Sequence, residues 1–315
     1  MPTAVYFITI NYHCSDLIQA LVATTAPQAT GFYEFIVVNN SPGDRGIADL
    51  AELPRVRVIE AGGNLGFGGG CNLALTKVYK ENPTGLAWLI NPDARLVPNA
   101  VDYVRQCLVD DPQIALLGTR IRDLDGQLWF SHGTFNPWLG TLKHRDPTVT
   151  TEFEPVKTHP TRWISGCSLI LNLAHLPDCP QFDPQYFLDY EDADLSERYY
   201  RQGYRLRVTQ AALVDHQVSA ITGRYPRAKY RHATFSKLYF LDRHGTLLAL
   251  VLNLIYFGLR PFTDAVAQSA KAQGRWAGLL DYVRWRWRRF RRVPTPIHPQ
   301  TRYTSSSPES AALEP

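Results

Sequence analysis

Between Tyr186 and His216 the chain reads YFLDYEDADLSERYYRQGYRLRVTQAALVDH, which puts Asp189, Glu191, Asp192 and Asp194 within six residues. Carboxylates held this close repel one another and cost stability unless a cation or a reacting proton uses them. Tyr186, Phe187, Leu188 and Tyr190 surround them, and large apolar neighbours desolvate acids and shift their pKa values. One acid could take a proton while another positions a neighbour, and the imidazole of His216 could ligate a divalent metal. The plainer reading is a charged helix start. Acids favour a helix N-terminus, and Asp194 with Arg198 forms an i,i+4 pair.

Three further stretches could carry chemistry. Gly62-Gly63-Asn64-Leu65-Gly66-Phe67-Gly68-Gly69-Gly70-Cys71-Asn72 is a loop whose backbone N–H groups could approach an anion at a helix start. It follows the third expected strand rather than the first, and no acidic strand end follows at dinucleotide spacing, so a tight strand-to-helix turn competes. Leu89-Ile90-Asn91-Pro92-Asp93-Ala94 ends a buried strand on an Asp. One such carboxylate suits Mg²⁺ or Mn²⁺ bridging a diphosphate, because these ions keep waters and take few protein ligands. An Asx turn capping the next helix is the alternative. Arg162-Trp163-Ile164-Ser165-Gly166-Cys167 sets a Trp beside Ser-Gly, which fits a sugar-stacking wall or an ordinary core Trp.

The elements that must position these residues follow a β-α alternation. Strands are expected at Val5–Tyr12, Phe35–Val38, Val56–Glu60, Leu86–Ile90, Ile114–Gly118 and over 163–171. Helices are expected over 15–26, 46–52, from the glycine loop to about Tyr79, and over 98–109. This order argues for an α/β fold with a mostly parallel sheet, and ligands in such sheets sit beyond the C-terminal strand ends. The polar turns after successive strands should therefore converge on one crevice. Residues 119–160 show little regular patterning, 228–262 read as helical, and 275–292 as a basic, Trp-rich helix.

The totals are consistent with a large domain plus an appendage: 315 residues, 45% hydrophobic, net charge +4. Five cysteines without a CxxC pair suggest reduced thiols in a cytosolic setting. The start, MPTAVYFITINYH, reads as a strand rather than a leader. No run reaches the roughly 18 apolar residues of a membrane span.

The ordered set of motifs resembles the family 2 glycosyltransferases of the GT-A fold, especially their rhamnosyltransferase-like branch. The matching text is ITINYH at 8–13, VVNNSPGD at 37–44, GGNLGFGGGCN at 62–72, LINPDA at 89–94, WISGCSLIL at 163–171, FDPQYFLDYEDADLSER at 182–198 and VDH at 214–216. The resemblance implies a GT-A domain over 1–245; beyond it, composition suggests a helical appendage over 246–292 that could associate with a membrane and a Pro/Ser-rich, disordered tail over 293–315. The resemblance also implies that Asn39, Asp44, Asn64, Gly66, Phe67, Asn91 and Asp93 bind a nucleotide-sugar. Asn39 stands where the family usually has an Asp that touches the nucleobase, and Asn91 and Asp93 occupy the ends of its D-x-D metal motif. Trp163, Ser165 and Gly166 match the acceptor or sugar wall, Asp192 with Glu191 the general-base pair, and Asp93 with His216 the contacts to Mg²⁺ or Mn²⁺. The expected reaction is inverting transfer, most simply of rhamnose from dTDP-rhamnose, to a cell-surface polysaccharide or lipid-linked glycan. A UDP-galactofuranose donor and a catalytically silent glycan-binding scaffold are the rivals.

Beyond the matching part, Leu247–Leu259 is a 13-residue apolar stretch, and residues 284–292 hold six arginines, two Trp and one Phe. Arg284, Trp285, Arg286, Trp287, Arg288 and Arg289 suit an anionic lipid surface. Nucleic acid is not the expected partner, because no nucleic-acid module is recognisable. The expected place is the cytoplasm, peripheral at the inner face of the cell membrane.

Overall fold

The computed structural model describes residues 3–27, 29–144, 157–217, 225–265 and 269–291. The expected tail over 293–315 lies outside the described residues. In chain order the elements are β1 (Val5–Asn11), α1 (Ser15–Thr25), β2 (Tyr33–Asn39), α2 (Ile47–Ala51), β3 (Val56–Glu60), α3 (Gly66–Glu81), β4 (Leu86–Ile90), β5 (Ala94–Leu96), α4 (Ala100–Asp110) and β6 (Ile114–Asp123). Then come β7 (Leu128–Phe130), β8 (Thr134–Asn136), β9 (Thr141–Lys143), β10 (Thr158–Pro160), β11 (Ser168–Asn172), α5 (Glu191–Arg201), β12 (Arg205–His216), α6 (Pro226–His244), α7 (Leu247–Ala265) and α8 (Ser269–Arg291).

The central sheet runs β10-β12-β6-β11-β4-β1-β2-β3. Strands β3, β2, β1 and β4 pair in parallel, as do β6 and β12. Strand β11 is inserted antiparallel between β4 and β6, so those two point the same way. This is the mostly parallel α/β sheet that the alternation predicts. The inner strands β1, β4 and β11 are buried along their whole length because both faces are covered. Phe7, Phe35, Val37, Trp88 and Ile90 enter the core on one face, and Ile8, Ile36, Val38, Ala87 and Leu89 enter it on the other.

The structure departs from the sequence expectations in three places. The strand expected over 163–171 begins only at Ser168, and 163–167 is irregular. Residues 228–262 form two helices, because the chain leaves α6 at Gly245 in an extended conformation and restarts at Leu247. The unpatterned stretch after 119 contains the short strands β7, β8, β9 and β10, three residues each. A separate apolar cluster joins Tyr186 and Ala193 to Phe240 of α6, Leu250 and Phe257 of α7, and Tyr282 of α8. The C-terminal helices thereby brace the start of α5, which carries the carboxylates.

Candidate active site

The polar turns do converge. A cavity of about 660 Å³ opens over the strand ends and is walled by pieces of every motif, the β2 turn contributing Asn40. Asn64, Gly66, Phe67, Asn91, Asp93, Trp163, Ser165, Gly166, Glu191, Asp192 and His216 all line it. Asn39 and Asp44 are not among its lining residues; Asn40 is.

Strand β4 ends at Ile90 and the chain turns through Asn91-Pro92-Asp93 directly into β5. No helix follows at once, so Asp93 caps nothing. Its carboxylate meets the ring of His216, which closes β12 beside β5, with Asp93 Oδ1 to His216 Nε2 at 3.1 Å. Both side chains are nearly buried, 4% and 5% exposed. Asn91 Nδ2 lies 3.5 Å from the same ring nitrogen. Trp129 packs its edge on the His216 ring at 5.0 Å, and His144 Nδ1 donates to the Trp129 carbonyl at 2.7 Å. His216 Nδ1 is buried without a hydrogen-bond partner. Among the described residues no three His, Cys, Asp or Glu side chains assemble into a ligand set. One carboxylate oxygen and one imidazole nitrogen, adjacent on a cavity wall, fit a hard cation completed by waters and substrate phosphates.

The clustered carboxylates Asp189, Glu191 and Asp192 line the same cavity. Asp189 and Tyr190 both have left-handed backbones, φ 66° and 70°, and this double turn aims the helix start into the cavity. Each oxygen of Asp192 accepts one backbone N–H at 2.7 Å, Oδ2 from Gly166 and Oδ1 from Ala193. A Cβ at position 166 would stand 3.1 Å from the Phe67 ring, so the glycine keeps this approach to Asp192 uncrowded. The next residue, Cys167, accepts from the Asn91 N–H at 3.1 Å and ties this wall to the end of β4.

Desolvation sets the charges here. Burial raises Asp192 above the usual carboxylate range, opposed by its backbone N–H partners. Burial, then the charges of Asp192 and Asp189, push Glu191 well up, and its Oε2 is buried without a partner. Burial and the charge of Asp192 raise Asp189 to about 6, with Lys229 pulling the other way. Three acids crowd one site and their charged forms are disfavoured.

Asp194 and Glu197 belong elsewhere. Asp194 binds His244 at 2.7 Å and Arg198 at 2.8 Å. Glu197 takes both arms of a fork from Arg162, at 2.8 and 2.9 Å, and a third bond from Arg201. Burial alone would raise both acids, but these partners hold them below their ordinary values. The expectation that all four clustered carboxylates serve one site therefore needs correcting: Asp194 faces α6 and fixes α5 in place.

The glycine loop also has a structural task. Gly66 has φ 74°, and a Cβ there would stand 2.1 Å from the Phe187 carbonyl oxygen. That carbonyl accepts the Phe67 N–H at 3.1 Å, and Asn64 Oδ1 accepts the Gly66 N–H at 3.0 Å. The first donors of α3 are thus taken up by protein, so the tight-turn reading describes them and the loop's role is to dock on the aromatic segment. Asn39 is likewise committed: it donates to Glu60 at 2.9 and 3.1 Å and accepts from Asn11 at 3.1 Å. An amide can do both beside Glu60, whereas an Asp there would set two carboxylates together. Asp44 accepts from Asn11, Ser15 and Gly46. Burial opposes these bonds, yet they hold its carboxyl below the ordinary value.

The sequence reasoning missed the contribution of α6. Lys229 and His232 line the cavity, and His232 stacks on Phe187 at 4.4 Å between ring centres. A helix of low amphipathicity gives no sign of which face will meet a cavity. Tyr12, Trp129 and His144 complete the wall.

Comparison with known proteins decides the family. The model described as "Glycosyl transferase family 2" matches residues 6–165. The chain belongs to glycosyl transferase family 2. It is an enzyme of the nucleotide-sugar-dependent glycosyltransferases, with a GT-A fold. It is 28% identical over 218 residues to an N-acetylglucosaminyl-diphospho-decaprenol L-rhamnosyltransferase of Mycobacterium tuberculosis, covering 63% of this chain and 71% of that protein. Among solved structures it resembles GalNAc-T7 with UDP, GalNAc and Mn²⁺ (TM-score 0.57, 11% identity, 89% of this chain and 54% of that one). It also resembles the mannosyltransferase PcManGT of Pyrobaculum calidifontis in complex with GDP-Man and Mn²⁺ (TM-score 0.52, 12% identity, 90% and 88%). The chain spans about half the length of GalNAc-T7. Identities this low carry the fold alone.

Proposed function

We propose that the chain is an inverting, metal-assisted glycosyltransferase that moves rhamnose from dTDP-rhamnose onto a lipid-linked glycan or cell-surface polysaccharide. The observation that carries this reading is that one cavity is lined by two unlike acids: Asp93 against His216, and Asp192 on backbone N–H groups. Asp192 takes the proton of the acceptor hydroxyl. That oxygen bonds to the anomeric carbon as the bond to the diphosphate oxygen breaks, in a single displacement. The nucleoside diphosphate leaves carrying the electron pair. Asp192 suits a base, because desolvation raises its basicity while two N–H bonds fix its orientation. Glu191 beside it has its charged form disfavoured by burial and by the charges of Asp192 and Asp189, so the charge of this pair is concentrated on Asp192.

Asp93 and His216, with Asn91 behind them, would hold Mg²⁺ or Mn²⁺, which supplies charge stabilisation to the departing diphosphate. Trp163, Ser165 and Gly166 form the sugar wall, and Asn64, Gly66 and Phe67 the donor wall. Asn39 and Asp44, in the hydrogen-bonded turn under Asn11, serve the nucleobase end from outside the cavity. The rhamnosyl donor and lipid-linked acceptor are supported by the mycobacterial relative. Work on such an acceptor places the chain in the cytoplasm at the inner membrane face, attracted through Arg284–Arg289. Among the described residues no helix is long and apolar enough to cross a membrane.

Calorimetry with dTDP-rhamnose and with UDP-galactofuranose, each in Mn²⁺ and in EDTA, tests the reading. The expected result is tighter binding of dTDP-rhamnose, dependent on Mn²⁺ and lost in Asp93→Ala. Equal wild-type affinity in both buffers removes the metal role, and preference for UDP-galactofuranose replaces the donor. Donor binding with no transfer to any glycan would favour the silent scaffold.

A further inference from the structure

Helices α7 and α8 expose apolar side chains in one repeated spacing. On α7 they are Leu248, Leu252, Ile255 and Leu259, and on α8 Trp276, Leu280, Val283 and Trp287; both sets run i, i+4, i+7, i+11. That spacing is one continuous face of a helix. These are not grazing exposures: Ile255 is 55%, Leu259 63% and Trp287 56% accessible. The inner faces are different residues. Ala249, Leu250 and Phe257 of α7 are buried. On α8, Gly274 and Gly278 lie against the α6 backbone at Arg227 and Arg231, Asp281 pairs with Arg231, and Trp285 packs on Tyr239. At about 100° per residue, the α8 stripe lies opposite that α6-facing edge. Both stripes therefore look away from the protein. Soluble proteins rarely leave two adjacent helices so apolar on the outside.

Arg284 and Arg288, both exposed, flank the α8 stripe. Apolar side chains bordered by arginines and carrying exposed Trp match the interfacial region of an anionic bilayer, where lipid tails meet headgroups. The location adds to this. The stretch of α6 that Gly274 and Gly278 of α8 lie against, residues 227–234, is the part whose Lys229 and His232 line the cavity. We infer that the outer faces of α7 and α8 insert together into the headgroup–acyl boundary of an anionic membrane, seating the α6 side of the cavity next to the lipid surface. This rests on the peripheral-membrane reading above and deepens it: the arginines attract, and the paired apolar faces bury.

Flotation of the full chain with vesicles of equal parts phosphatidylglycerol and phosphatidylcholine separates the two. Insertion predicts binding that largely survives about 1 M salt, where charge attraction is screened within roughly 3 Å. It also predicts that Ile255→Glu with Leu259→Glu lowers partitioning about tenfold or more. Both positions are exposed, so the melting temperature should stay as in the wild type. Brominated acyl chains should quench the chain's fluorescence, and Trp287→Phe should remove part of that quenching. Binding released by salt and indifferent to the α7 double variant overturns insertion while leaving electrostatic attraction standing. A wild type that ignores vesicles overturns the membrane reading as well. A wild-type dimer that the same double variant converts to monomer, without vesicle binding, assigns these faces to a second copy of the chain.

Discussion

The first turn of α5 and the turn that follows carry the same chemical group in opposite settings. Asp189, Glu191 and Asp192 are crowded and desolvated, with backbone amides as their best partners. Asp194 and Glu197, a few residues on, are as deeply buried but sit in forks of Arg162, Arg198, Arg201 and His244. Burial penalises all five acids, and only the second pair is compensated. Compensation makes a carboxylate a strut; its absence leaves one whose proton affinity can be used. Composition does not distinguish them, because the partners of the struts come from other elements.

The comparison can be broken in order of expected effect. Asp192→Asn should keep the fold and donor affinity while lowering turnover by about 10²–10⁴, the worth of a general base. A variant that keeps more than about a third of the turnover would move the base to Asp189 or Glu191. Asp194→Ala should do the reverse. It leaves His244 and Arg198 facing a void, and denaturant unfolding should show a loss of about 3–5 kcal/mol. If stability hardly changes, the strut reading of the second turn fails.

Asp189→Asn sharpens the contrast through pH. An acid whose folded pKa is raised favours its protonated form in the folded chain. Its contribution is present below the ordinary value of 3.8 and is lost as pH rises through about 6. The variant should therefore gain about 1–3 kcal/mol over wild type above about pH 7, and nothing below about pH 4. For Asp194 and Glu197 the sign is opposite: their stabilisation is present above the ordinary values and lost as pH falls through the lowered ones. The smallest effect belongs to Glu191→Gln. Burial and neighbouring charges disfavour the charged form of Glu191 and its Oε2 has no partner, so the amide should lose little and melting should shift by no more than about 0.5 kcal/mol in equivalent stability. A larger loss would show that the Glu191 carboxyl holds the fold in a way the amide cannot replace.

Much of this was legible in the sequence for a physical reason. Buried parallel strands are short apolar runs, so β1, β2, β4 and the polar turns after them stand out. The cavity gathers those turns, and with them Asn91, Asp93, Trp163, Gly166, Asp192 and His216. Strands β7 to β10 were not legible, because three residues hold no period. The break between α6 and α7 was hidden because Gly245 interrupts neither helical pattern for more than two residues. Most opaque were the long-range pairings. Nothing local says that Asp194 will meet His244, or that Lys229 and His232 will face a cavity built from strand ends far earlier in the chain.

The contact of Gly66 with the Phe187 carbonyl has a kinetic consequence. The two walls of the cavity come from residues widely separated along the chain, joined backbone to backbone with no side chain as a spacer. Closing so long a loop costs chain entropy that only the final packing repays, so such contacts form late. Strands β1 to β4 can pair before residues 182–190 arrive, and until then the glycine loop has nothing to lean on. On this ground the parallel pairs of β1 to β4 can assemble before the cavity closes, whereas the cavity waits for the 182–190 segment.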